Sequence, residues 1–122
     1  PETPVALCHA GSPHDRSPAG LKDWARRLRA LSDLPQVTCK LSGLGMFDHN
    51  WTVDRIRPIV ETCLEQFGPN RVMFGSNFPV DKLYGDYIAL VQAFRELVAT
   101  EVQATVFRDT AARFYDLGKP PD

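Results

Sequence analysis

Three short apolar runs, each closed by polar residues and glycine and each followed by a helix-period pattern, leave this chain few architectures. The runs cover residues 4–9, 37–42 and 71–77. Apolar segments of that length, bounded by Gly and Pro, read as buried strands. The second alternates, with Val37, Cys39 and Leu41 on one face and Thr38, Lys40 and Ser42 on the other. Between the runs lie amphipathic stretches. Ser17 and Pro18 suit the N-cap and first position of a helix whose stripe is Leu21, Trp24, Ala25, Leu28 and Leu31, and Pro35 stops it. Its arginines Arg26, Arg27 and Arg29 read as a solvated face. Thr52 can cap a second helix carrying Ile56, Ile59, Val60, Cys63, Leu64 and Phe67, with Pro58 marking a late start or a kink. A third carries Tyr87, Leu90, Val91, Phe94, Leu97 and Val98. Thr100 and Gln103 suggest a capping box for a short helix, and Asp109 or Thr110 a cap for a last one through Ala111, Ala112, Phe114 and Tyr115.

Alternating strands and helices at this spacing predict parallel βα units, hence an α/β fold. Three strands neither close a barrel nor make a good open sheet. The expectation is therefore a single partial domain over residues 1–122. The start at Pro1-Glu2-Thr3-Pro4 has no Met and no signal-peptide pattern, and it strengthens that expectation. The hydrophobic fraction of 43% suffices for a core. With 14 basic and 15 acidic residues there is no basic footprint for nucleic acid. No apolar run nears the roughly 20 residues of a membrane span. Cys8, Cys39 and Cys63 are odd in number and lack a CxxC spacing. They read as buried free thiols in a reducing compartment, so the cytoplasm is expected.

In βα architectures the chemistry sits at the C-terminal ends of strands. The first run ends in His9, the second offers Lys40 and Ser42, and the third leads to Asn77 and Phe78 with Asp81 just beyond. His9 suits a metal ligand, a proton shuttle or a donor to a carbonyl, against the plainer reading of a hydrogen-bonded strand-end histidine. Lys40 is costly on an inner face unless it is paired, and the plainer alternative is an outer or edge lysine. Asp81 is either a site carboxylate or a helix-entry cap. Ser76 lacks the G-x-S-x-G elbow of a nucleophile. His14 and His49 read as solvent-facing loop residues.

At this point four blocks resemble one family. His9-Ala10-Gly11-Ser12-Pro13 is similar to an H-x-G-x-P segment, and Lys40-Leu41-Ser42-Gly43 matches a K-L-S-G strand. Residues 67–79 resemble an F-G-x-x-R-x-x-x-G-S-D-W-P block, and residues 109–115 a closing N-A-x-x-F-Y helix. All four occur, in the same order, in the amidohydrolase-2 group of metal-dependent hydrolases, which includes sugar-acid and pyrone-dicarboxylate lactonases. The resemblance implies the C-terminal part of a (β/α)8 TIM barrel with its site at the C-terminal mouth.

It also implies a catalytic set of His9, Asn77 and Asp81, with Lys40, Ser42 and Phe78 binding a small-molecule substrate. His9 is the residue that would touch a divalent metal, zinc or manganese, although some lactonases of the group work without one. One departure matters: the family aspartate of G-S-D is Asn77 here, and an amide is no general base. Asp81 then supplies the carboxylate, or Asn77 positions water or substrate, or activity is lost. The implied activity is hydrolysis of a small carboxylated lactone by activated water. The alternatives are a zinc-dependent decarboxylase of the same superfamily and an inactive barrel fragment. With roughly half of the barrel's eight strands absent the chain alone is expected to be inactive, and open strand edges would invite self-association into a homo-oligomer.

Overall fold

The computed structural model describes residues 3–118; Pro1, Glu2 and residues 119–122, and with them the reading of the first two positions, lie outside that range. Three parallel strands, β1 (Val5–Leu7), β2 (Val37–Leu41) and β3 (Val72–Phe74), form one sheet in sequential order. Val5 pairs with Val37 and Leu7 with Cys39, while Cys39 pairs with Val72 and Leu41 with Phe74. Helix α1 (Pro18–Ser32) connects β1 to β2, and α2 (Val53–Phe67) connects β2 to β3. Helix α3 (Tyr87–Leu97) follows β3 and packs on α2, which packs on α1. A sequential strand order with right-handed crossovers puts every helix on the same side of the sheet, which is how a barrel wall is built.

The core lies between that wall and its helices. Val37, Cys39 and Leu41 meet Trp24 and Leu28 of α1, Ile56, Ile59, Val60 and Cys63 of α2, and Leu90 and Phe94 of α3. Burying one such Val, Leu, Ile or Phe contributes about 1.5–3 kcal/mol, so packing rather than helix propensity holds these elements in place. The neighbouring Cys39 thiol, followed by burial, pushes the Cys63 thiol well above its ordinary value. The opposite face of β2 carries Thr38 and Lys40, registered with Ala6 and Met73. Met73 is fully buried yet stands apart from the main core cluster, as a residue on that second face should.

Local signals account for the helix starts. Ser17 Oγ accepts from Gly20 N, Thr52 Oγ1 from Arg55 N, and Asp86 from Ala89 N. Helix α2 begins at Val53, so Pro58 does not mark a late start. It sits on the exposed side, where the Asp54 carbonyl that loses its partner meets solvent. Gly68, at φ +76°, ends the helix.

Several expectations are corrected. The strands are shorter than the apolar runs, and the first stops at Leu7. The backbone then turns sharply, which leaves Cys8 exposed rather than buried. Thr100 and Gln103 form no capping box. The N-cap of α4 (Thr100–Ala104) is Ala99, and Gln103 Nε2 instead donates to Arg95 O and Val98 O at the end of α3. Neither Asp109 nor Thr110 caps a separate last helix. A π-helical stretch, Thr105–Asp109, runs straight into α5 (Thr110–Phe114), and Thr110 Oγ1 donates to Pro69 O. The arginines of α1 are exposed and pair with Asp23 and Asp33, as a solvated face requires. His14 and His49 are exposed as well.

Candidate active site

The turn after β1 is conformationally costly. His9, Ala10 and Ser12 all have positive φ, at 56°, 52° and 54°. For residues with a Cβ this region costs on the order of 1–2 kcal/mol each. Tertiary contacts hold the turn: Trp24 Nε1 donates to Ala10 O at 2.8 Å, and Ala10 is fully buried. Ser42 receives His9 from the next strand end. The His9 backbone N–H donates to Ser42 Oγ at 3.3 Å, and the ring Nδ1 lies 2.9 Å from the same oxygen. Nothing bonds His9 Nε2 among the described residues.

Gly43 makes that approach possible. Its φ is +61°, and a Cβ there would lie 2.6 Å from His9 Nδ1 and 2.9 Å from Met46 Sδ. The Met46 sulfur also accepts from Asn77 Nδ2 at 3.4 Å. Asn77 is in turn left-handed, at φ 57°, a conformation asparagine tolerates better than most residues. Its Nδ2 donates to Asp81 Oδ1 at 2.8 Å, and Asp81 is only 5% exposed. Asp81 lies within the short helical turn Val80–Leu83 and caps no helix. The contacts therefore run without a break from His9 through Gly43 and Met46 to Asn77 and Asp81, across the C-terminal ends of all three strands. Strained backbone concentrated at two candidate residues is what a functional site, rather than a packing surface, tends to store.

Lys40 lies on the inner face, as its parity predicts. It stretches across Gly75, where an added Cβ would meet its Cε at 2.7 Å, and its Nζ donates to Tyr115 Oη at 3.4 Å. Phe78 packs edge-on against Tyr87 at 5.2 Å between ring centroids. Ser42, expected on substrate, is 4% exposed and bonded to His9. Gly43, Met46 and Tyr115 belong to this mouth although the sequence reading gave them no role. Only Gly43, in a glycine-rich strand end, carried a signal that could have found it.

Arg16 frames the mouth from the side. Its Nε donates to Pro13 O at 3.0 Å and its NH2 to Leu44 O at 2.6 Å, joining the loops after β1 and β2. Burial pulls its pKa below the ordinary arginine value, and Asp48 at 4.0 Å pushes the other way. A recess of about 400 Å³ opens between β1 and α1, lined by Leu7, Trp24 and Leu31 together with the titratable His14, Asp15, Asp23 and Arg27. Among the described residues, no three His, Cys, Asp or Glu side chains come close enough to share a metal ion. The mouth formed by this chain is thus an incomplete donor set for a metal centre, which needs at least three protein ligands.

The family model described as Amidohydrolase matches residues 1–117. The chain is 41% identical to Uncharacterized protein y4mH of Sinorhizobium fredii, over 94% of this chain and 39% of that protein. It is 37% identical to an L-fucono-1,5-lactonase of Burkholderia multivorans, over 97% of this chain and 45% of the relative. Among solved structures it resembles an amidohydrolase from Burkholderia multivorans with bound zinc, at a TM-score of 0.86 and 31% identity, covering 93% of this chain and 44% of that one. A parallel βα wall with its polar groups gathered at one end, matched by that family model over nearly its full length, defines the chain's class. The chain belongs to the amidohydrolase family, and its fold is part of an amidohydrolase (β/α)8 barrel. It spans less than half the length of these relatives. No described helix is long and apolar enough to cross a membrane.

Proposed function

We propose that this chain forms part of the active-site mouth of a hydrolase that opens a small carboxylated lactone by attack of water. The observation that carries the reading is the unbroken contact path from His9 to Asp81 at the strand ends. The similarity to proteins named L-fucono-1,5-lactonase supports the ester class of substrate. In this reading Asp81 accepts a proton from the attacking water, and Asn77, which cannot act as a base, orients the carboxylate and the water. The water oxygen bonds the carbonyl carbon, and the negative charge that develops on the carbonyl oxygen is stabilised by His9. The ring C–O bond then breaks, and the proton held by Asp81 returns to the leaving oxygen. Lys40 pairs with the substrate carboxylate, and Phe78 covers its apolar part.

A divalent ion, zinc or manganese, would polarise the carbonyl if bound. From this mouth it would find His9 as a ligand, with its remaining donors coming from outside the described residues. The steps above are assigned to side chains alone. The test is lactone hydrolysis by the whole protein that contains this chain, with and without His9→Ala. Loss of one oxyanion-stabilising donor lowers turnover by about 10²–10³. Unchanged turnover would remove His9 from the mechanism.

A further inference from the structure

We propose that Ser42 is a positioning residue that sets the tautomer of His9, holding the proton of the neutral imidazole on Nε2. The inference deepens the functional reading above, because it specifies which face of the ring the substrate meets. It starts from the hydrogen-bond inventory of one oxygen. A serine hydroxyl has one proton to give and two lone pairs. One lone pair of Ser42 Oγ accepts the His9 backbone N–H at 3.3 Å. With 4% of the residue exposed, the hydroxyl has little access to water, and a buried hydroxyl proton without an acceptor is costly. The one acceptor within reach among its described contacts is His9 Nδ1 at 2.9 Å. The hydroxyl therefore donates to Nδ1. A neutral imidazole that accepts at Nδ1 carries its proton at Nε2.

Gly43 makes the arrangement specific. A Cβ at that position would press against Nδ1 at 2.6 Å, so the ring keeps its seat on Ser42 only because residue 43 has none. The backbone adds a second constraint, since the left-handed turn at His9 delivers both its N–H and its ring to the same hydroxyl. Together they leave His9 presenting Nε2–H, the nitrogen that no described residue bonds. A ring in this state donates to a carbonyl oxygen. Metal ligation through Nε2 needs the opposite tautomer, with Nδ1–H donating to Ser42. The fixed hydroxyl thus separates two roles between which the residue types alone do not choose.

Nitrogen-15 NMR of the histidine rings in the whole protein that contains this chain tests this without substrate, at a pH where the rings are neutral. His9 is assigned by its loss in His9→Gln. The expected result is an Nε2–H signature for His9, against the mixed pattern of exposed His14 and His49. Ser42→Ala should move His9 towards that mixed pattern, and Ser42→Thr, which keeps the hydroxyl, should restore it. Gly43→Ala should unseat the ring and give the same mixing while Ser42 stays in place. A purely structural role for Ser42 predicts no change of tautomer in a folded Ser42→Ala chain. An Nδ1–H signature in the unaltered chain overturns the proposal outright, and so does an unchanged ratio in Ser42→Ala. The unaltered chain decides the point even where a variant fails to fold. The reading fails separately from the lactonase assignment, which rests on turnover.

Discussion

The two faces of β2 differ by one residue in register and by everything in role. Val37, Cys39 and Leu41 point into a core shared with three helices, where Cys39 lies beside the Cys63 thiol. Thr38, Lys40 and the adjoining Ser42 point the other way and end against Tyr115 and His9. A strand has a side-chain period of two, so a single five-residue segment packs on one side and lines the candidate site on the other. The lesson is that the core and the candidate site are separable by parity.

That separation can be broken or sharpened experimentally. The largest effect should come from Leu41→Ala, where a fully buried side chain leaves a cavity and about 2–5 kcal/mol is lost. Lys40→Ala, one residue away, should cost well under about 1 kcal/mol, because its contacts to Tyr115 are partly exposed. Urea denaturation of the two variants would erase the distinction between the faces if they lost similar amounts.

A smaller effect belongs to Asn77→Asp, which restores the family aspartate but sets two carboxylates about one hydrogen bond apart. Like charges raise the apparent pKa of the pair, and each unit of elevation costs about 1.4 kcal/mol at neutral pH. The variant should be destabilised at pH 7 and should recover as the pH falls and the pair takes up a proton. A destabilisation independent of pH would show that the cost is steric instead.

The smallest effect lies on neither face, at Asp15 in the loop before α1. Bonds from Ser17, side chain first and backbone second, hold its carboxyl below the ordinary 3.8. A depressed folded pKa contributes stability that is present above the ordinary value and is lost as pH falls through the folded one. Asp15→Asn should therefore lower stability slightly at neutral pH, where the carboxylate contributes, and change nothing in acid where Asp15 is already protonated, so the acid limb of the profile flattens. Denaturation curves at the two pH values check it.

Much of this was legible before the structure. The period of two at β2 placed Lys40 and Ser42 on the right face, and the 3.6-residue stripes chose the buried side of each helix. Ser17 and Thr52 are caps because their partners lie three residues ahead, within reach of local reasoning. What escaped was settled by distant partners. Gln103 serves α3 rather than its own helix, since the Arg95 and Val98 carbonyls needed a donor. Nothing local marks His9 and Ala10 as left-handed, because neither is glycine, and the turn they make is what exposes Cys8. Ser42 was assigned to substrate for its position at a strand end, whereas its oxygen is taken up by a residue 33 positions earlier.

Arg16 carries one further implication, for motion. A single guanidinium bonds the Leu44 carbonyl across the gap while its Nε is held by Pro13 O of its own loop, so the loop after β2 cannot swing away without breaking a charge-assisted bond to a side chain already fixed in place. Local opening of the loop after β2 then carries the cost of releasing one half-buried cation.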